Sequence, residues 1–158
     1  MCCGMSRNVP GDSDNDPAWG GQALVVDTSA WMRAGHPSVI EHWNRALRAG
    51  LLRIVPVTSL EILFTARDGT HFDTLAERLS ALRPAQLTTS IAHGSQDVMR
   101  TLAHRSHGAH RIPIVDYLVA ATAQETGAAV LHYDHDYDTL AEVMGFESAW
   151  LAPPGSLP

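Results

Sequence analysis

Short apolar segments that alternate with longer amphipathic ones constrain the fold of this 158-residue chain more than any other feature. The short segments are rich in Val, Leu and Ile, which is typical of strands that are buried on both faces of a sheet. They lie at residues 23–26, 51–57, 128–133 and 148–151, with a shorter extended piece at 84–87. Because helical segments separate them, the strands are expected to run parallel beneath helices on both faces. The sequence therefore predicts an α/β fold, a three-layer α/β/α sandwich around a mostly parallel central sheet.

The helical segments are recognised by apolar residues that recur at a spacing of three and four. They are predicted at residues 37–49, 58–67, 72–82, 90–104 and 113–127, with a last helix that ends near residue 144. Thr58 and Glu61 stand three residues apart, which is the spacing of a capping box at a helix start. The helix after Pro113 is apolar on almost every side apart from Asp116 in its first turn. It is therefore predicted to be the buried central helix.

Composition and charge limit the class of protein. The 45% hydrophobic and 18% charged content is that of a globular chain, and the length fits a single domain over residues 21–158. Residues 1–20 are polar and rich in Gly, Pro and Asp, so they are predicted to form a disordered N-terminal extension. The net charge of −6 argues against a protein that coats nucleic acid.

Hydropathy and cysteine content indicate the compartment. No apolar run approaches the roughly eighteen residues that cross a bilayer, and the polar start is unlike a signal peptide. Cys2 and Cys3 are adjacent and form neither a disulfide framework nor a zinc motif. The sequence therefore predicts a cytoplasmic protein without a membrane contact.

Acidic residues occur where predicted strands end or predicted helices begin. Asp27 directly follows the first strand, and Asp134 follows the strand at 128–133. Glu61 and Asp116 lie in the first turns of predicted helices, and Asp136 follows two residues after Asp134. In a parallel sheet these positions fall on one edge, where open α/β sheets bind their ligands. The carboxylates of these acids are therefore expected to converge. That of Asp136 either joins the other four or caps the following helix.

Each acid also has an explanation that needs no ligand. Asp27 can cap the next helix, Glu61 can complete the capping box, and Asp116 can favour the dipole of its helix. The segment 134–138 can be a solvated turn. The recurrence of the pattern favours a shared site over separate explanations. Asp116 argues most strongly, because an acid within an apolar helix is costly unless it is paired or binds a metal.

A cluster of carboxylates has a chemical consequence. Its members repel one another and take up protons unless a cation neutralises them. The eleven basic residues are all Arg and are scattered along the chain. Ligands that offer only oxygen suit a hard divalent ion, Mg²⁺ or Mn²⁺. Such an ion polarises a phosphate and lowers the pKa of an attacking water, which is the chemistry of phosphodiester hydrolysis.

Three stretches of the chain resemble motifs of a known family, namely VVDTSAW, TSLEILFTAR and IPIVDYLVAATAQETGAAVLHYDHDYDTLA. They are similar to the PIN domain, specifically to VapC-type toxin ribonucleases, and the resemblance covers residues 23–151. It implies a Mg²⁺- or Mn²⁺-dependent endoribonuclease that acts on RNA, forms a homodimer and pairs with a VapB-type antitoxin, with the helical hairpin at 61–82 as the candidate contact surface. The catalytic and metal-binding acids that it implies are Asp27, Glu61, Asp116 and Asp134, with Asp136 as a further metal ligand. The long polar N-terminus departs from the family pattern.

A basic segment runs from Arg100 to Arg111 without an acid. It is equally compatible with contacts to an RNA backbone and with a solvated helix end. His104, His107 and His110 are three residues apart, which makes a zinc site an alternative, although no Cys lies nearby.

Other classes of protein also place an acid after a strand. A phosphotransfer receiver domain needs a lysine, and this chain has none. A haloacid-dehalogenase-like phosphatase has a second Asp two residues after the first, whereas Asp27 is followed by Thr28 and Ser29. A catalytically inactive PIN-like scaffold that binds RNA or protein is the alternative from a different class, and the presence of all four acids favours the enzyme.

Overall fold

The fold is described for residues 18–158 by a computed structural model, and residues 1–17, most of the predicted extension, lie outside the described part. The strands are β1 (Leu24–Val26), β2 (Leu52–Ile54), β3 (Arg83–Pro84), β4 (Ala129–His132) and β5 (Glu147–Trp150). The helices are α1 (Thr28–Trp31), α2 (Ile40–Arg48), α3 (Pro56–Phe64), α4 (Gly69–Ser80), α5 (Thr89–Arg105), α6 (Ile114–Thr126) and α7 (Asp136–Ala141).

The five strands form a parallel sheet in the order β3-β2-β1-β4-β5. β1 is central, because Leu24 lies opposite Leu52 of β2 on one side and opposite Ala129 of β4 on the other. The chain adds β2 and β3 on one side of β1, and then β4 and β5 on the other. The strand order therefore reverses between β1 and β4, and open α/β sheets bind ligands beyond the carboxyl ends of the strands at such a point. The predicted α/β fold with a parallel sheet is confirmed.

Alternate strand residues point to opposite faces of the sheet and build an apolar core on each. Leu24 and Val26 of β1 pack in one core together with Trp31 and Trp43 from α1 and α2. Val25 belongs to the opposite core, which α5, α6 and α7 complete. The two cores confirm the predicted three-layer α/β/α arrangement.

Trp19 shows that the packed chain begins before the predicted boundary at residue 21. It lies in a short 3₁₀ turn, Ala18–Gly21, and its side chain is buried. The indole Nε1 donates a hydrogen bond of 3.1 Å to the carbonyl oxygen of Trp150 in β5. The prediction that residues 18–20 belong to a disordered extension is therefore wrong for Trp19, because local composition carries no information about a partner 131 residues away.

The second strand ends three residues earlier than predicted, which changes the setting of Glu61. β2 ends at Ile54, and α3 begins at Pro56 with Val55 at its N-cap. A proline cannot donate to a strand ladder, and its fixed φ suits the first turn of a helix. Thr58 and Glu61 both lie inside α3, so the predicted capping box is wrong.

The other helices agree with the predictions to within a few residues. α2 begins at Ile40 instead of Pro37, after a series of turns. α6 has Pro113 at its N-cap and ends at Gly127, whose φ of 65° is a left-handed conformation that glycine adopts readily. Most of α6 is buried, as predicted for the central helix. No helix among residues 18–158 is long and apolar enough to cross a membrane.

Candidate functional site

Two neighbouring strands deliver acids to the carboxyl edge of the sheet. β1 ends at Val26 and is followed by Asp27, and β4 ends two residues before Asp134. Val26 lies opposite Leu131 in the parallel pairing of β1 with β4. Both acids therefore leave the sheet at the point where the strand order reverses.

Asp27 is both a helix cap and a member of a cluster of acids. We call this set the acidic cluster, and it consists of Asp27, Glu61, Asp116, Asp134 and Asp136. Its Oδ2 accepts a hydrogen bond of 2.9 Å from the backbone N–H of Ser29 and a second one from the Ser29 hydroxyl, so Asp27 is the N-cap of α1. Its Oδ1 accepts a hydrogen bond of 2.8 Å from the hydroxyl of Tyr137. The capping explanation is therefore correct, but it accounts for only one of the two carboxylate oxygens.

Asp116 lies in the first turn of α6 and is only 8% exposed. Burial raises the pKa of its carboxyl to about 8, and the negative charges of Asp27, Asp134, Asp136 and Glu61 add to the rise. The charges that act on Asp116 are thus those of the acids that the sequence predicted to converge. Without a cation, Asp116 holds its proton at neutral pH.

Asp134 lies in the turn between β4 and α7, and Asp136 is the first residue of α7. The Oδ1 of Asp134 accepts a hydrogen bond of 2.9 Å from the backbone N–H of Asp136. Burial and the charge of Asp134 raise the pKa of Asp136, while His135 acts in the opposite direction. One carboxylate oxygen from each of Asp116, Asp134 and Asp136 lies within 4.8 Å of the other two, and we call these three residues the acidic triad.

Tyr137 connects Asp27 to the acidic triad. Its buried hydroxyl donates to Asp27 Oδ1 at 2.8 Å and lies 3.4 Å from Asp116 Oδ1. Burial and the nearby carboxylates raise the pKa of Tyr137 well above its ordinary value, so the hydroxyl remains a donor. Tyr137 was not among the predicted site residues, although its place directly after Asp136 was a signal that a polar aromatic side chain accompanies the acids.

Glu61 is attached to the cluster through Thr28. The Thr28 hydroxyl donates a hydrogen bond of 2.7 Å to Glu61 Oε2. Because Thr28 directly follows Asp27, this contact holds the middle of α3 beside the end of β1. Glu61 and Asp27 lie outside the acidic triad but within electrostatic range of Asp116.

The basic segment that begins at Arg100 covers the end of α5 and the loop before α6. Arg105 forms an ion pair of 2.7 Å with Glu142, and Arg100 lies 3.5 Å from Asp97. These two arginines are therefore engaged with acids of the same chain, and the contact of this segment with RNA stays a prediction.

The three histidines of the zinc alternative do not share one helix face. His104 lies in the last turn of α5, whereas His107 and His110 follow the C-cap at Ser106. Within the described part of the chain, the group of neighbouring side chains that could hold a metal consists of the acidic triad and contains no histidine.

The donor atoms and distances of the acidic triad fit a hard divalent cation. Oxygen ligands on opposite sides of Mg²⁺ lie about 4.2 Å apart, which is twice the usual bond length. The triad offers one oxygen from each residue within 4.8 Å of the other two, which is close to what one ion requires. Oxygen ligands without nitrogen or sulfur favour Mg²⁺ or Mn²⁺ over softer metals. Burial raises the pKa of Asp116 and the neighbouring carboxylates add to the rise, so the site concentrates negative charge that a cation would neutralise.

Comparison with known proteins gives the family. The sequence profile of the PIN domain matches residues 24–143, which span every strand but β5 and all five acids. The chain belongs to the PIN domain family. This PIN domain is 38% identical over 135 residues to Ribonuclease VapC18 of Mycobacterium tuberculosis, covering 85% of the chain and 98% of the relative. It is 35% identical over 133 residues to Ribonuclease VapC51 of the same organism, covering 84% and 96%.

Solved structures share the fold of this PIN domain. The DNA-bound VapBC structure from Salmonella typhimurium matches with a TM-score of 0.69 at 16% identity, covering 82% of this chain and 98% of that one. The toxin VapC20 from Mycobacterium tuberculosis, which cleaves the sarcin–ricin loop, matches with a TM-score of 0.53 at 17% identity, covering 74% and 94%. At such low identity these matches establish the fold and leave the activity to be argued from the site.

Proposed function

We propose that this PIN domain is a metal-dependent endoribonuclease, which hydrolyses phosphodiester bonds of RNA and is the toxin of a VapBC-type toxin–antitoxin pair. The observation that carries the proposal is the acidic triad, whose carboxylate oxygens lie within 4.8 Å of one another at the strand-order reversal. Support also comes from the 38% identity to Ribonuclease VapC18, because that similarity covers 98% of the relative.

The proposed ligands of Mg²⁺ or Mn²⁺ are Asp27, Glu61, Asp116, Asp134 and Asp136. A divalent ion held there would polarise a scissile phosphate and lower the pKa of an attacking water. The five carboxylates would bind the ion, and hydrogen bonds from Ser29, Tyr137 and Thr28 orient two of them. Burial and the neighbouring carboxylates favour the protonated form of Asp116, so this carboxyl would have to give up its proton in order to hold the ion.

Hydrogen bonds orient the proposed ligands before anything binds. Ser29 holds one oxygen of Asp27, and the hydroxyl of Tyr137 donates to the other. Thr28 holds one oxygen of Glu61 in the same way. Side chains that are fixed in advance lose less conformational entropy on binding. The arrangement therefore favours ion binding without a large rearrangement.

The partner surface that we propose lies on α3 and α4. Leu60 and Phe64 of α3 are 67% and 92% exposed, and Phe72 of α4 is 44% exposed. α3 and α4 are in contact, and large exposed apolar side chains on neighbouring helices favour contacts with other proteins. We assign these three residues, the α3–α4 surface, to the homodimer or to contact with a VapB-type antitoxin. The VapBC complexes among the structural neighbours support a partner of this type.

The test of the proposed function is RNA cleavage by the purified chain. Wild-type protein should cleave single-stranded RNA with Mg²⁺ or Mn²⁺ and should stop when EDTA removes the metal. Asp116→Asn and Asp134→Asn should each lower the rate by about 100-fold or more, because each removes a ligand worth several kcal/mol of transition-state stabilisation.

The matched control is Asp73→Asn, which removes a carboxylate from the exposed surface of α4. It should cleave RNA at the wild-type rate. Wild-type protein that binds RNA but does not cleave it with either metal would refute the nuclease and support the scaffold alternative. Cleavage that continues in EDTA, or in Asp134→Asn, would refute the metal site.

A further inference from the structure

A chain of hydrogen bonds runs from β5 to the turn that carries Asp134. Its centre is His132, the last residue of β4, whose side chain is fully buried. His132 Nε2 lies 2.7 Å from the hydroxyl oxygen of Ser148, and His132 Nδ1 accepts a hydrogen bond of 3.2 Å from the backbone N–H of Asp134. The Ser148 hydroxyl in turn donates to Asp138 Oδ1 at 2.9 Å. Because Ser148 lies in β5 and Asp138 in α7, the hydrogen bonds join three elements.

The direction of each hydrogen bond follows from Asp138, the carboxylate that accepts at the end of the chain of hydrogen bonds. Asp138 Oδ1 accepts from the indole N–H of Trp150 at 3.1 Å and from the hydroxyl of Ser148. The single proton of that hydroxyl is thereby used, so Ser148 must accept from an N–H at His132 Nε2. Since His132 Nδ1 accepts from the Asp134 N–H, it carries no proton. The opposite tautomer would place two donors against each other at Asp134.

The imidazole of His132 supports the acidic cluster from a second direction. Its ring packs on the ring of Tyr137, with centroids 4.9 Å apart. Trp150 covers it with a second ring contact at 4.9 Å. Tyr137 is the residue whose hydroxyl lies between Asp27 and Asp116. One buried side chain thus contacts both the Asp134 backbone and the tyrosine that orients two other acids.

We propose that His132 is a positioning residue, whose tautomer is set by Ser148 and Asp138 and which holds the Asp134 turn in the conformation that binds the divalent ion. The inference rests on the proposed function, because it takes Asp134 as a metal ligand. Groups that hydrogen-bond behind metal ligands typically contribute 10- to 100-fold to metal affinity. The proposal therefore extends the site to β5, a strand that contributes none of the acids.

The first experiment needs no metal. Nitrogen-15 NMR shifts of the imidazole report which ring nitrogen carries the proton, and hydrogen exchange reports the protection of the Asp134 amide. In the full-length wild-type protein, His132 should carry its proton on Nε2. Ser148→Ala and Asp138→Ala should disturb this tautomer and speed exchange of the Asp134 amide about 10-fold. Asp138→Asn should preserve both, because its carbonyl oxygen can accept from Ser148 and Trp150.

The second experiment measures Mn²⁺ affinity of the same variants. Ser148→Ala should weaken Mn²⁺ binding about 10-fold, and Asp138→Asn should bind like wild type. The control for a lost buried serine is Ser95→Ala, because the Ser95 hydroxyl donates to the carbonyl oxygens of Ile91 and Tyr117 instead of the Asp134 turn. It should lower thermal stability without changing Mn²⁺ affinity.

The outcomes separate this inference from the proposed function. A wild-type His132 protonated on Nδ1, or a Ser148→Ala variant with unchanged Asp134 exchange, would overturn the positioning role. Equal Mn²⁺ affinity in wild type and Ser148→Ala would overturn it as well, while the proposed function would stand. Wild-type protein that binds no Mn²⁺ would overturn the proposed function and the metal-directed role of His132 together, even with the expected tautomer.

Discussion

The Asp116→Asn substitution should change how the stability of the metal-free protein depends on pH. Burial and neighbouring carboxylates raise the pKa of Asp116 from its ordinary value of 3.8 to about 8. The folded state therefore holds a proton that the unfolded state has released between these two pH values, and the free energy of unfolding falls as pH rises. The slope approaches about 1.4 kcal/mol per pH unit for one such proton, and it flattens near pH 8.

The window from about pH 6.5 to 7.5 isolates this effect. Burial lowers the pKa of His132 from 6.5 to about 4, so His132 adds a stability that rises with pH over this range and levels off above pH 6.5, and this contribution is shared by wild type and Asp116→Asn and cancels in their difference. Over this window the stability of wild type should fall by about 1 kcal/mol relative to Asp116→Asn. With a urea m-value of about 2 kcal/mol/M, the difference between the two midpoints should change by about 0.5 M.

The assay is urea denaturation in EDTA, followed by circular dichroism, with Asp73→Asn as the control for loss of an exposed carboxylate. Asp73→Asn should keep the wild-type pH profile. Parallel profiles of wild type and Asp116→Asn would refute the reasoning, because they would show that folding does not raise the pKa of Asp116.

Three further substitutions test individual contacts. Thr58 Oγ1 is buried without a hydrogen-bond partner among the described residues, so Thr58→Val should leave stability unchanged or raise it by up to about 1 kcal/mol, and a clear loss in urea denaturation would contradict this. Gly50 has a φ of +67°, and an added Cβ would lie 2.6 Å from the guanidinium of Arg83. Arg83 is exposed and its flexible end can move aside, so Gly50→Ala should cost about as much stability as Gly127→Ala, where a similar φ of +65° opens onto empty space, and a clearly lower melting temperature of Gly50→Ala would contradict this. Phe64 is 92% exposed, so Phe64→Arg should leave the melting temperature unchanged but weaken homodimer or antitoxin binding. Light scattering measures the dimer, and titration measures the affinity for the antitoxin. If neither differs from wild type, the assignment of the α3–α4 surface is contradicted.

The sheet and its flanking helices could be predicted because the signals for them are local. Apolar runs such as that of β1 and the spacing in α6 depend on residues close in sequence. The strand order could not be predicted in the same way, because it depends on which distant strands pair. Pro56 is a local signal for the start of α3 inside the predicted strand 51–57, and Trp19 lies outside the predicted domain because its partner is in β5.

The residues of the candidate site likewise fall into those that have a local signal in the sequence and those that do not. The acids could be singled out because each follows a strand or opens a helix in the predicted pattern, and parallel strands share a carboxyl edge, although Glu61 lies in the middle of α3 and not at its start. Tyr137 follows Asp136 directly, but the sequence does not show that its hydroxyl turns inward to two acids, and His132 stands in an apolar run where a histidine that only fills the core has the same appearance. Their hydrogen-bond directions depend on packing between β4, β5 and α7, and no spacing in the sequence records that.

The proposed function requires a cluster of acids that binds a divalent ion, and a direct measurement of Mn²⁺ binding tests this most simply. Electron paramagnetic resonance measures free Mn²⁺ during a titration, without RNA and without a need for activity. Wild type and Asp73→Asn should remove Mn²⁺ from solution saturably, with a plateau of one or two ions per chain, and Asp116→Asn should bind at least about 10-fold more weakly. Equal binding by wild type and Asp116→Asn, or no binding by wild type, would contradict the account.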